Sequence, residues 1–216
     1  MRLELEIVNL INKWVDNPEF CVYTYGGLKK EAWEMQNSKI SIQDICSIAI
    51  MTAVTAIMAQ ISIPMPMGVP MTMQTFAVTL AGVILGAKRG AISMIVYVLL
   101  GAVGAPVYAG FSGGFQNLIG PTGGFLLSFP IMAYLIGMGI QMRKKKGMFV
   151  LFLFLGTVSN YVVGVAMYCL VTQSSVLTGI TACVVPFIPT AIIKAIVASV
   201  LGIQIRDRLG AALQWA

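Results

Sequence analysis

Six long apolar runs, residues 42–63, 73–87, 91–105, 123–142, 149–171 and 185–205, dominate the chain and hold only two charged residues. One is Asp44, near the start of the first run, and the other is Lys194, midway through the last. A helix needs about 20 apolar residues to cross a bilayer, and these runs are continuous rather than alternating every second residue as in a barrel. Charged residues make up 10% of the chain, against about 25% in soluble domains. The expected fold class is therefore all-α, a polytopic membrane protein with six transmembrane helices. The second and third runs are short and separated by Lys88, Arg89 and Gly90, which predicts a tight helical hairpin, tilted or partly buried by its neighbours.

Basic residues set the orientation. Lys29, Lys30 and Lys39 precede the first run, Lys88 and Arg89 join the second to the third, Arg143 to Lys146 join the fourth to the fifth, and Arg206 and Arg208 follow the sixth. With six spans all four groups fall on one side, and the opposite loops, near 64–72, 106–122 and 172–184, carry no charge. Positive residues stay in the cytoplasm, so both termini are expected there, with long outer loops and a multi-pass chain in the cell membrane. The net charge of +6 sits in these short loops, so nucleic acid is not an expected partner.

The sequence divides into an N-terminal cytoplasmic extension (1–40), a six-helix membrane domain (41–208) and a short tail (209–216). Residues 1–34 hold six of the eight acids. Leu3, Ile7, Leu10, Ile11 and Trp14 recur at helical spacing there, which fits an amphipathic helix on the membrane surface. The alternative is that Met35 is the natural start and the upstream part is dispensable. No short charged-then-apolar leader opens the chain, so insertion is expected to rely on the first span. Cys21, Cys46, Cys169 and Cys183 lack metal-ligand spacing. Free buried thiols are expected, with a Cys169–Cys183 disulfide at the outer face as the other option.

Between Asp44 and Asp207 there is no acid, and the chain has no histidine. Carboxylate pairs, histidine triads, zinc sites and carboxylate proton relays all need residue types that the membrane domain lacks. No phosphate-loop motif is present either. An enzyme is not expected, and neither is a cofactor. Lys194 carries the chemistry that remains. A lysine at mid-bilayer costs about 2.5–3.5 kcal/mol on insertion scales and faces a ligand or a cavity unless it snorkels to the interface or pairs with backbone. No acid of the membrane domain can pair with it, so the carboxylate of a ligand is the natural counter-charge. Pro186 and Pro189 delay the last helix and leave free N–H groups aimed at the same outer cavity.

"GAPVYAGFSGGFQNLIGPTGGF", residues 104–125, has seven glycines, two prolines and no charge. Irregular backbone at membrane depth lines a cavity or is buried by protein. Its aromatic residues offer flat apolar surface, and Ser112, Gln116, Asn117 and Thr122 offer a few hydrogen bonds.

With this stretch, P-x-T-x-Q at 70–74, LG-x-x-x-G at 85–90, G-x-P-V at 104–107 and GPTGG at 120–124, the chain resembles the BioY family, biotin-binding S components of energy-coupling factor (ECF) transporters. The resemblance covers about residues 42–208. It implies a six-helix protein that captures biotin, the transported ligand, and docks a transmembrane ECF scaffold subunit carrying two cytoplasmic ATPases. It also implies that the outer loops after the first and third spans cover the biotin site. The family pattern F-[IL]-P-G-D-x-x-K falls on residues 187–194 and keeps Lys194, but Thr190 and Ala191 replace its Gly-Asp. Either Asn160 and Tyr161 take over the role of that acid, or the ligand is related to biotin or held less tightly.

The expected site follows from both lines of argument. Lys194 pairs with the carboxylate. Gln74, Ser112, Asn117 and Asn160 are candidates for the ureido group or carboxylate, although Gln74 and Asn117 fit equally as loop-satisfying groups and Asn160 as a link between helices. Tyr108, Phe111 and Tyr161 flank the rings or the aliphatic chain. Ala49, Thr52, Ala53 and Ala56 form overlapping small-xxx-small pairs, either for the scaffold or for packing inside the bundle. An S component for a different carboxylated vitamin, or a membrane enzyme with a similar pocket, are the competing functions.

Overall fold

The computed structural model describes residues 41–65 and 68–213. The N-terminal extension, with its amphipathic pattern and Cys21, lies outside them. From Gln43 onward the described chain forms one compact unit.

Its helices are α1 (Ile42–Gln60), α2 (Gln74–Leu85), α3 (Ala87–Ala102), α4 (Gln116–Ile119), α5 (Gly123–Gln141), α6 (Met148–Thr172), α7 (Val176–Cys183) and α8 (Ile188–Leu213). Two strands, β1 (Ser62–Ile63) and β2 (Met71–Thr72), pair antiparallel with Ser62 opposite Thr72. Among the described residues, α1, α5, α6 and the stretch Val176–Leu209 are long and apolar enough to cross a membrane. By their residue counts α2 and α3 are only about 18 and 24 Å long.

The shortness of α2 is explained by where it lies. All its residues except Thr75 are buried, among them Ala77, Val78 and Val83, as expected for a helix that is apolar on every side. It packs between α3, α5 and α8. Gly82 permits the approach to α5: a β-carbon there would stand 2.8 Å from the Ala133 carbonyl oxygen. The core continues outward through Met94 and Tyr97 of α3 and Phe129, Met132 and Ile136 of α5.

The hairpin between the second and third runs turns earlier than expected. Lys88, Arg89 and Gly90 lie in the first turn of α3, and the break is the single residue Gly86, at φ +80°. Ala, Lys and Arg are good helix formers, whereas that backbone conformation favours glycine. Arg206 of α8 donates through Nη1 to the carbonyls of Val83 (3.1 Å) and Ile84 (2.9 Å), groups that a helix end leaves without intrahelical partners. The sixth run continues as helix past residue 205 to Leu213. Two ion pairs lie near this end, Arg89 with Asp44 and Arg143 with Asp207, each at 2.8 Å.

The segment near 172–184 is also more ordered than a loop. It contains α7, whose first turn is capped by Ser175 Oγ accepting from the Thr178 N–H at 3.3 Å. Cys46, Cys169 and Cys183 are free thiols. Large apolar side chains cover the outside of the long helices: Ile50 and Ile57 on α1, Phe154 and Val162 on α6, Ile193 and Ile196 on α8. This inversion of the soluble pattern is what a hydrocarbon solvent requires.

Candidate ligand-binding site

The irregular segments and the adjoining ends of the helices line a cavity of about 260 Å³. Each wall has a local cause. β1–β2 pairing delivers Thr72 to the rim, and the Thr72 hydroxyl both donates to Gln74 Oε1 (2.9 Å) and accepts from the Gln74 backbone N–H (3.3 Å), starting α2 there. Gln74 Nε2 donates to the Tyr97 hydroxyl (2.6 Å), which donates to the Val107 carbonyl (3.0 Å). This chain of bonds ties β2, α2, α3 and the glycine-rich segment together. Both ends of the Gln74 carboxamide are thereby engaged while the residue borders the cavity.

The glycine-rich segment folds back over α3. Tyr108, 2% exposed, donates its hydroxyl to the Val98 carbonyl (2.6 Å), meets Tyr97 edge to face at 5.7 Å, and lays its ring on Gly101. Burial raises the Tyr108 phenol to about 12, which keeps it a neutral donor. Gln60, at the end of α1, clamps the segment: it donates to the Tyr108 carbonyl (3.1 Å) and accepts from the Phe111 N–H (2.8 Å). That clamp and a φ of +55° send the Phe111 side chain outward, 71% exposed and outside the cavity wall. Phe111, expected to flank a ligand, is thus the one expected ligand residue that does not line the cavity. Ser112 and Asn117 do border the cavity, with Ser112 Oγ donating to the Ala109 carbonyl (2.8 Å) and Asn117 Nδ2 to that of Gly113 (2.9 Å).

The opposite wall comes from α5, α6 and α8. Phe125, Leu126 and Phe129 line it, with Asn160 and Tyr161 beside them. Asn160 Nδ2 donates to Ser128 Oγ (2.9 Å) and to the Phe125 carbonyl (3.3 Å), so it joins α6 to α5 as well as facing the cavity. Phe187, just before α8, and Thr190, Ala191 and Lys194 from α8 complete the wall. Lys194 is half-buried and donates through Nζ to the Thr72 carbonyl at 2.6 Å. It borders the cavity rather than snorkelling away from it.

Seven of the eight expected ligand residues, Lys194, Gln74, Tyr108, Ser112, Asn117, Asn160 and Tyr161, thus line one cavity. Thr72, Phe129, Thr190 and Cys183 also line it and were not expected. The P-x-T-x-Q motif was the available signal for Thr72; Cys183 carried none. The small-residue stripe on α1 divides: Ala49 and Ala53 are exposed and Ala56 half-buried, whereas Thr52 is buried with its hydroxyl 3.0 Å from the Ser93 carbonyl of α3. Thr52 therefore packs inside the bundle.

A model of the BioY family matches residues 34–211. The chain belongs to the BioY family. Among similar proteins, the biotin transporter BioY of Thermotoga maritima is 36% identical over 168 residues, 76% of this chain and 96% of that one. Biotin transporter BioY2 of Lactococcus lactis is 34% identical over 173 residues, covering 79% and 93%. Among solved structures, the S component for biotin from an ECF-type ABC transporter superposes with a TM-score of 0.70 at 29% identity, covering 77% of this BioY-family chain and 92% of that one. These relatives are named for transport, not catalysis, and the chain's four long apolar helices mark it as a membrane protein.

Proposed function

We propose that this chain captures biotin and serves as the substrate-binding S component of an ECF-type ABC transporter in the cell membrane. One observation carries the proposal: a half-buried ammonium, Lys194, borders a partly open, partly aromatic cavity in a bundle with no acid from residue 45 to 206. Desolvated charge needs a partner, and a carboxylate brought by the ligand supplies it. Hydrogen-bonding groups at Ser112, Asn117 and Asn160 suit a ureido ring, and Tyr108, Phe125, Phe129 and Tyr161 suit its apolar body.

In this proposal the short helices α2 and α3 are spans two and three of six, shielded from lipid by their neighbours, and both termini are cytoplasmic. The exposed Ala49 and Ala53 face of α1 receives a transmembrane scaffold subunit with two cytoplasmic ATPases. Residues 1–40 are a cytoplasmic extension to the membrane domain. Ala191, at the cavity where the family pattern has an acid, favours a second reading, an S component for another carboxylated vitamin. Equilibrium binding of radiolabelled biotin to the purified chain, competed with unlabelled vitamins, decides between them. Saturable binding displaced only by biotin is expected, and displacement by a different vitamin at lower concentration would overturn the assignment.

A further inference from the structure

Lys194 borders a second, smaller chamber. About 20 Å³ in volume, it shares Thr75, Asn160, Tyr161, Ala191 and Lys194 with the main cavity and is lined in addition by Thr79 and Thr157. A single water needs roughly 10–15 Å³ of such space, so the chamber has room for a water.

Its donors and acceptors decide the occupant. Thr79 Oγ1 spends its only proton on the Thr75 carbonyl, and Thr157 Oγ1 spends its own on the Leu153 carbonyl, each at 2.9 Å. Both hydroxyls are left as acceptors. The two amide protons of Asn160 go to Ser128 Oγ and the Phe125 carbonyl, so its remaining capacity is also as an acceptor. Lys194 has three N–H groups and gives one to the Thr72 carbonyl. Tyr161 also lines the chamber, and its hydroxyl can donate or accept. An occupant that satisfies the whole lining accepts from the ammonium and donates to hydroxyl and amide oxygens; a halide would leave those oxygens without a donor, and a metal cation is repelled by the ammonium. Water does both.

We infer that this chamber is a fixed water site that positions Lys194, doing the work of an acidic side chain at position 191. Ala191 borders both chambers and contributes only a methyl group. The water accepts from Lys194 and donates to the threonine oxygens, so the ammonium stays solvated from the smaller chamber while remaining free for an anion in the main cavity. Lys194 is then the contact residue, and Thr79 and Thr157 are positioning residues acting through the water. The effect on a ligand rests on the biotin proposal; the water itself does not.

Two measurements test this. The first is a crystal structure of the ligand-free full chain grown in bromide, at a resolution that resolves waters. Expected is one density peak without anomalous signal, within hydrogen-bond distance of Lys194 Nζ and of Thr79 or Thr157 Oγ1. An anomalous bromide peak in the chamber, or no density there, overturns the inference, whatever the ligand proves to be. The second compares biotin with its uncharged carboxamide on T157V, with T79V as the replacement should the first variant not fold. Biotin is expected to bind about fivefold more weakly than to the parent, the scale of one lost neutral hydrogen bond, with the carboxamide unchanged. Equal losses for both compounds, or none for biotin, contradict the positioning role. Failure of the parent chain to bind biotin at all would count against the proposed function and leave the density test standing.

Discussion

Lys194 stood out in the sequence because a lone charge in an apolar run has few physical solutions. Its acceptor in the structure, the Thr72 carbonyl, is a backbone group 122 residues away and so carries no residue-type signature. The same reason hid the relay from Thr72 through Gln74 and Tyr97 to the Val107 carbonyl, although Gln74 was legible as a polar residue worth following. Both hydrogen-bonding ends of Gln74 are used inside the protein, so Gln74→Leu should act on stability first. Leaving the Tyr97 and Thr72 hydroxyls short of a partner costs about 1–3 kcal/mol, visible as a lowered melting temperature in detergent. Phe111 makes the converse case. Its aromatic character suggested a ligand wall, and positive φ turned it away, a backbone property that residue type does not reveal. Phe111→Ser should leave biotin affinity within about twofold in equilibrium binding, since burial energy changes only where apolar surface is actually covered.

The helices were the most readable elements, because an unbroken apolar run has to become a helix or a barrel strand in lipid. Their junctions were less so. Gly86 and Gly90 both border Lys88 and Arg89, and tertiary packing rather than composition decided that Gly86 breaks the chain. α7 was missed because an uncharged outer segment reads as a loop; the Ser175 cap was its only local signal. The glycine-rich segment depends on α3 as a platform. A methyl group at position 101 would run into the Tyr108 ring, so Gly101→Ala should displace that ring and disturb the Val98 bond. Loss of a packed aromatic wall costs about 1–3 kcal/mol. Biotin affinity is therefore expected to fall roughly tenfold or more in a titration, with the helical circular-dichroism signal retained.

Among the described residues, the bundle is apolar outside, close-packed around α2, and polar chiefly at the cavity among the irregular segments and at the end where Arg89, Arg143 and Arg206 meet Asp44, Asp207 and the last carbonyls of α2. In the proposed function transport draws its energy from a partner, and the exposed small residues of α1 offer a close-packing surface for one. Ala53→Trp should abolish biotin uptake by cells co-expressing the complete transporter while the purified variant binds biotin as the parent does. Uptake at the parental rate would remove that face from the docking proposal. The central claim, that a carboxylate from the ligand neutralises the ammonium in the cavity, is tested most directly by titrating biotin into Lys194→Ala and the parent chain side by side. Affinity at least tenfold weaker in the variant, with its melting behaviour intact, is expected; equal affinity in the two proteins would rule out that pairing of charges.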